Sequence, residues 1–190
     1  MNCKKGNFST YQLVINALFT AILCISAYIS IPLPNGSHFA FLNFMVMVIS
    51  LVFTPVNSFI IVGIWLILGC IGVPVFVGGI AGIGRLFSPW GGYNLAFLAV
   101  AIVVPFIVKI NKGRICMTIA SIIGAILVDV IGSLWLMVVG NMELVPAFIA
   151  GFVPFIVLDI VKAILAPQLA VVLRKITRQH NANTQSTLTN

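Results

Sequence analysis

Six long apolar runs, nearly free of charge, leave this chain one solvent in which to fold. They cover about residues 10–31, 38–54, 57–72, 93–109, 115–139 and 145–173. Hydrocarbon offers a backbone amide no hydrogen-bond partner, so a chain that crosses it must close its bonds internally, as helices or as a closed barrel. Barrel strands show in a sequence as short segments of alternating polarity. These runs are longer and do not alternate, so the sequence predicts an all-α integral membrane protein with six transmembrane helices. Composition agrees: 61% of the 190 residues are hydrophobic and 7% are charged, against about 25% charged in a soluble domain. Mean hydropathy is +1.20. Helices 2 and 3 meet at Thr54-Pro55-Val56-Asn57, a tight proline turn. Both fall short of the roughly 20 residues of an upright span, which calls for neighbouring helices or local thinning of the bilayer.

The basic residues orient this bundle. Lys4 and Lys5 precede helix 1, Lys109, Lys112 and Arg114 lie between helices 4 and 5, and Arg174, Lys175 and Arg178 follow helix 6. With six crossings all eight fall on one side, which the positive-inside rule makes the cytoplasm. Both termini are then expected inside: residues 1–9 as a short cytoplasmic N-terminus, 10–173 as the membrane domain, and 174–190 as a basic, then polar and disordered tail. The N-terminal run is too long for a signal peptide and shows no clear cleavage site. The net charge of +7 follows from insertion beside an anionic inner leaflet. With no soluble basic domain, nucleic acid is not expected as a partner.

Two residues resist this apolar pattern. Asp159 and Lys162 stand three apart in VPAFIAGFVPFIVLDIVKAILAPQLAVVL. A charge at the centre of a membrane helix costs about 2.5–3.5 kcal/mol on insertion scales, and residues at i and i+3 share a helix face. The pair therefore faces something polar: each other, or a site. A second unusual feature is the outer loop GVPVFVGGIAGIGRLFSPWGGYNLAF, residues 72–97. Its glycines permit positive φ and close backbone approach, as in a re-entrant or lid-like loop or a compact linker. Their spacing does not make a phosphate-binding motif, since no strand precedes them and no Lys-Ser/Thr follows. Arg85, alone among basic residues on the outer side, suits paired hydrogen bonds to a carboxylate, and equally an interfacial lipid headgroup. The proline-stiffened Ile31-Pro32-Leu33-Pro34-Asn35-Gly36 is placed to flank the same region. Asp129 inside helix 5 lines either the bundle interior or a site. Glu143 reads as solvated, and His38 as an interfacial anchor.

Other chemistry is not supported. Cys3, Cys24, Cys70 and Cys116 lie far apart, with no CxxC and no Cys/His cluster. There is no HExxH, no GxSxG and no Walker motif. The chain is expected not to be an enzyme, to carry no cofactor or metal, and to draw energy for any transport from another subunit. No inverted repeat, expected of a self-sufficient secondary transporter, is evident between its halves.

Several segments occur together, in order, in one known family. ISIPLP at 29–34, LGCIGVPVFVGG at 68–79, SPWGGY at 88–93, GSLWL at 132–136 and VPFIVLDIVKAILAPQLA at 153–170 resemble the BioY family, the biotin-specific substrate-binding (S) components of energy-coupling factor (ECF) transporters of the bacterial cell membrane. The resemblance covers nearly all of the chain outside the termini. It implies the six-helix S-component fold, biotin as transported ligand, and a complex with a transmembrane coupling subunit and two cytoplasmic ATPases. It places Asp159 and Lys162 at the biotin site, Arg85 in the loop that closes it, and Ala17 and Ala21, an AxxxA on helix 1, against the coupling subunit. Phe76, Gly79, Trp90, Tyr93 and Asn94 complete the expected substrate-binding set. Ser88 and Trp90 replace the Gly and Thr of the usual GPTGGY, and Asn94 stands where the family usually has an apolar residue. On this reading Asp159 accepts ureido N–H bonds, Lys162 pairs with it or donates to a ligand oxygen, and Arg85 holds the carboxylate. A different vitamin in the same fold, or secondary transport, are the alternatives.

Overall fold

The structure, a computed structural model, describes residues 10–32 and 38–188. Among them are seven α-helices: α1 (Thr10–Ser26), α2 (Phe41–Val52), α3 (Pro55–Cys70), α4 (Gly91–Ile110), α5 (Arg114–Val139), α6 (Leu144–Gly151) and α7 (Val153–Leu188). Residues 91–110, 114–139 and 153–175 are long and apolar enough to cross a membrane, whereas α1, α2 and α3 are shorter apolar helices. α4 packs on α5, α5 and α2 pack on α7, and α1 leans on α3. The core of α2 is buried almost all round, with Leu42, Val46, Met47, Val48, Ile49 and Leu51 fully enclosed. That explains how so short a helix persists: its neighbours, not lipid, surround it.

The expected boundaries are corrected in three places. Helix 1 does not reach residue 31, and helix 2 does not start at 38. Instead β1 (Ser30–Pro32) and β2 (His38–Ala40) pair antiparallel, Ser30 opposite Ala40. Pro32 cannot sit in a helix interior, and the paired strands satisfy the backbone groups released where α1 ends. Leu33, Pro34, Asn35 and Gly36 of the proline-rich turn lie outside the described residues.

The sixth crossing is broken. Pro154 has no N–H to offer Ala150, and its ring crowds that carbonyl, so α6 stops at Gly151 and α7 restarts at Val153. Phe155 N–H bonds to Phe152 O rather than Gly151 O. The Gly151 carbonyl is left to accept the Tyr93 hydroxyl at 2.5 Å. Finally, the tail expected to be disordered from Gln179 is helical to Leu188. No glycine or proline follows Pro167, so nothing terminates a helix that propagates residue by residue once nucleated.

The glycine-rich connection from α3 to α4 folds back over one end of the bundle. Gly82 N–H bonds to Gly69 O at 2.8 Å and Gly78 N–H to Ala27 O at 3.3 Å. Trp135 Nε1 donates to Ser88 O at 3.2 Å. Phe76 is the peg of this loop. Its ring is fully buried, edge-on to Trp65 at 5.4 Å, and fits a notch that a side chain at Gly69 would fill: a Cβ there would lie 2.3 Å from the ring. Trp65 Nε1 in turn donates to Val75 O at 2.9 Å. Gly69→Ala should therefore destabilise the protein by about 1–3 kcal/mol through overpacking, read as a lowered thermal midpoint in detergent. Combining it with Phe76→Leu should recover part of the loss, and a Gly69→Ala chain as stable as the parent would show that the peg is not held.

Candidate functional site

A chain of hydrogen bonds joins three elements under this loop. Lys162 Nζ lies 2.8 Å from Asp159 Oδ1 and donates to Ala40 O at 3.1 Å. Asn43 Nδ2 donates to Asp159 Oδ2 at 2.7 Å. Asp159 and Lys162 come from one face of α7, Asn43 from α2, and Ala40 from the last residue of β2. Asp159 is 3% exposed and Lys162 9%. Starting helix 2 at Phe41, after a strand, rather than at 38 is what puts the Ala40 carbonyl within reach of Lys162.

These residues line a cavity with about 70 Å³ of free space. Its other walls are Val77 and Arg85 of the loop, Trp90, Tyr93, Asn94 and Phe97 of the start of α4, Val128 and Asp129 of α5, and Phe155 of α7. Trp90, Tyr93 and Phe155 form an aromatic cluster with centroids 5.8–6.4 Å apart. Tyr93 fits because Gly132 and Gly151 face it: a Cβ at either would fall within 2.5 Å of its ring or hydroxyl. Arg85 ends the short 3-10 turn Ile83–Arg85. It is half-buried, and lost hydration pulls its pKa down from the ordinary value.

A larger cavity of about 610 Å³ opens at the opposite end of the bundle, beside Phe53, Pro105, Phe106, Lys109, Lys112 and Arg174. Arg174 there donates to the carbonyl of Leu51. Size favours that cavity, but chemistry favours the smaller one. The smaller one has both signs of charge, buried amides and an aromatic wall, the mixture of convergent polar groups and apolar surface typical of small-molecule sites.

Of the residues expected from the sequence, Arg85, Trp90, Tyr93, Asn94, Asp159 and Lys162 line this one cavity. Phe76 and Gly79 do not: Phe76 is the peg described above, and Gly79 makes a turn at φ +71°, its N–H bonded to Phe76 O at 2.9 Å. Asn43 was not anticipated, although an asparagine in the apolar FLNFMVMVISLV of α2 is the kind of residue a membrane helix keeps for a partner. Asp129, left open by the sequence, lies on the cavity wall. Ala17 and Ala21 stand apart on the exposed face of α1, and no cluster of three His, Cys, Asp or Glu able to hold a metal occurs among the described residues.

Fold and site together define a multi-pass helical membrane protein with a pocket of mixed polar and apolar lining beneath a loop at one end. The chain belongs to the BioY family, whose model matches residues 2–179. It is 33% identical over 160 residues to the biotin transporter BioY2 of Lactococcus lactis subsp. cremoris, covering 84% of this chain and 87% of that one. It is 37% identical over 153 residues to the probable biotin transporter BioY of Pyrococcus horikoshii, covering 79% and 88%. The crystal structure of the S-component for biotin from an ECF-type ABC transporter superposes with a TM-score of 0.82 at 30% identity, over 90% of this chain and 94% of that one. The fold is that of the ECF S components.

The buried ion pair sets a stability test. Lys162→Ala strands Asp159 as an uncompensated charge and should destabilise the protein by about 3–5 kcal/mol. The double variant Asp159→Asn with Lys162→Met leaves no lone charge and should lose less, by chemical unfolding in micelles. Equal losses for the two would show that the pair is not electrostatically coupled.

Proposed function

We propose that this protein binds biotin and carries it across the cell membrane as the S component of an ECF-type transporter. The observation that carries the reading is the pocket that unites Asp159, Lys162 and Asn43 at one end with Arg85 and an aromatic wall at the other. Biotin has the complementary parts: a cyclic urea with two N–H donors and a carbonyl, an apolar thioether ring and chain, and a carboxylate. Lys162 and Asn43 hold the ureido end, Trp90, Tyr93 and Phe155 cover the apolar part, and Arg85 meets the carboxylate, for which its guanidinium fork is suited. Membership of the family and the biotin transporters among its relatives support the same ligand.

The site lies at the end of the bundle opposite Lys109, Lys112 and Arg174. By the positive-inside rule the basic end is cytoplasmic, so the pocket opens outward and both termini lie inside. Its free space is far below the 300–1,000 Å³ of common small-molecule sites. Entry therefore requires the 72–90 loop to lift, and the small Phe76 anchor with its glycine turns gives that loop a limited set of contacts to break.

The chain has no nucleotide-binding motif, so uptake is driven by partner ATPases through a membrane coupling subunit. Val14, Leu18 and Ile25 make an exposed apolar stripe on α1, and Ala17 and Ala21 form a shallow recess within it, as small residues do where a second helix approaches closely.

Two experiments separate these parts. Radiolabelled biotin should bind the purified chain, and Asp159→Asn or Lys162→Ala variants that fold should bind at least about tenfold more weakly, as expected for hydrogen bonds to charged groups. Undiminished binding by both would remove the pair from the site. Placing tryptophan at both Ala17 and Ala21 should abolish co-purification of the coupling subunit and ATPases while leaving biotin binding intact; unchanged recovery of the partners would show that α1 is not the docking helix.

A further inference from the structure

The pocket wall holds four buried hydrogen-bonding atoms that no hydrogen-bonding group among the described residues reaches: both carboxylate oxygens of Asp129, Oδ1 of Asn43 and Nε of Arg85. The contrast with Asp159 is direct. Asp159 Oδ1 is bonded to Lys162 and its Oδ2 to Asn43, whereas Asp129, 1% exposed, accepts no hydrogen bond from the described residues. A buried acceptor without a donor is unfavourable. Among its polar neighbours, Asn43 Nδ2 donates to Asp159, and Lys162 donates to Asp159 and to the Ala40 carbonyl. With Nδ2 turned to Asp159, the Asn43 atom left without a partner is its oxygen, an acceptor.

We infer that Asp129 is a second ligand-facing carboxylate beside Asp159, and that Asp129 together with Asn43 Oδ1 accepts N–H groups of the ligand's cyclic urea. Asp159 in addition fixes the Asn43 amide and the Lys162 ammonium in place. The pattern of partnerless atoms has a chemical direction. Three acceptors call for N–H donors, and one guanidinium nitrogen calls for an acidic group. A neutral donor-bearing ring that carries a carboxylate on a flexible chain meets both demands, while a ligand bearing only acceptors meets neither Asp129 nor Asn43. This inference rests on the reading of the ligand as biotin and deepens it, by naming the residues that select the urea.

The test uses the full chain in lipid nanodiscs and calorimetric titration with biotin and with its two derivatives methylated on one or the other ureido nitrogen. The parent chain should bind biotin and discriminate against at least one methyl derivative by tenfold or more. Asp129→Leu should bind biotin at least tenfold more weakly and lose most of that discrimination, because the acceptor that senses the N–H is gone. Asp129→Asn keeps the volume and the fold but turns an N–H donor toward the ligand, and should weaken biotin by a similar factor. Asp129 variants that bind biotin within twofold of the parent would overturn the inference. So would variants that lose affinity for all three ligands equally with discrimination intact, the mark of a purely structural role. Failure of the parent chain to bind biotin at all would overturn the ligand assignment and this inference with it, and is told apart from the other outcomes by the parent titration alone.

Discussion

The buried chain Asn43–Asp159–Lys162–Ala40 is the interaction on which the rest of this structure depends. Two opposite charges in a membrane helix are tolerable only if each is hydrogen-bonded on every side that hydrocarbon would otherwise face. The protein meets that condition by bringing an amide from α2 and a strand carbonyl from β2 onto one face of α7. The requirement propagates outward. Ala40 can serve only because helix 2 begins one residue after it, and that start is held by the two-stranded ribbon with residues 30–32. The same condition explains why the site sits where α2, enclosed by its neighbours, meets α7.

A second constraint acts through small residues. Tyr93 occupies the site wall because Gly132 and Gly151 leave room for it, and its hydroxyl finds the Gly151 carbonyl that the break near Pro154 releases. The loop over the site is held by a similar device, with Phe76 in the notch at Gly69. The wall of the pocket and the hinge of its cover are thus built from glycines and one proline, which makes the cover stiff in its pegs and free in its turns. Two backbone bonds, Gly82 N–H to Gly69 O and Gly78 N–H to Ala27 O, tie the middle of the loop back to α3 and to the residue that follows α1.

Much of this was legible in the residues themselves. The apolar runs could only be membrane helices, and Asp159 and Lys162 announced a polar face because their spacing and cost allow little else. Arg85, Trp90, Tyr93 and Asn94 were placed near the site by their loop, and the structure sets them on the same wall. What was not legible depended on three-dimensional pairing. A lone asparagine in α2 gives no sign of which carboxylate it will meet across the bundle. The strand at 38–40 is too short for its alternation to compete with the apolar run behind it. The Pro154 break was hidden by an otherwise continuous apolar segment, and Phe76, a member of the expected substrate-binding set, faces Trp65 and Gly69 instead of the pocket. Asp129 could not be assigned from sequence because an aspartate on an interior helix face is equally a packing residue until its partners, or their absence, can be counted.

The central claim is that the pocket beneath the loop holds biotin. Its most direct test is mass spectrometry of the small molecule that co-purifies with the chain from cells grown with biotin, followed by release on denaturation. The account predicts biotin at close to one molecule per chain, and its absence when Asp159 and Lys162 are both replaced. A different vitamin at that stoichiometry, or biotin retained in full by the double replacement, would contradict it.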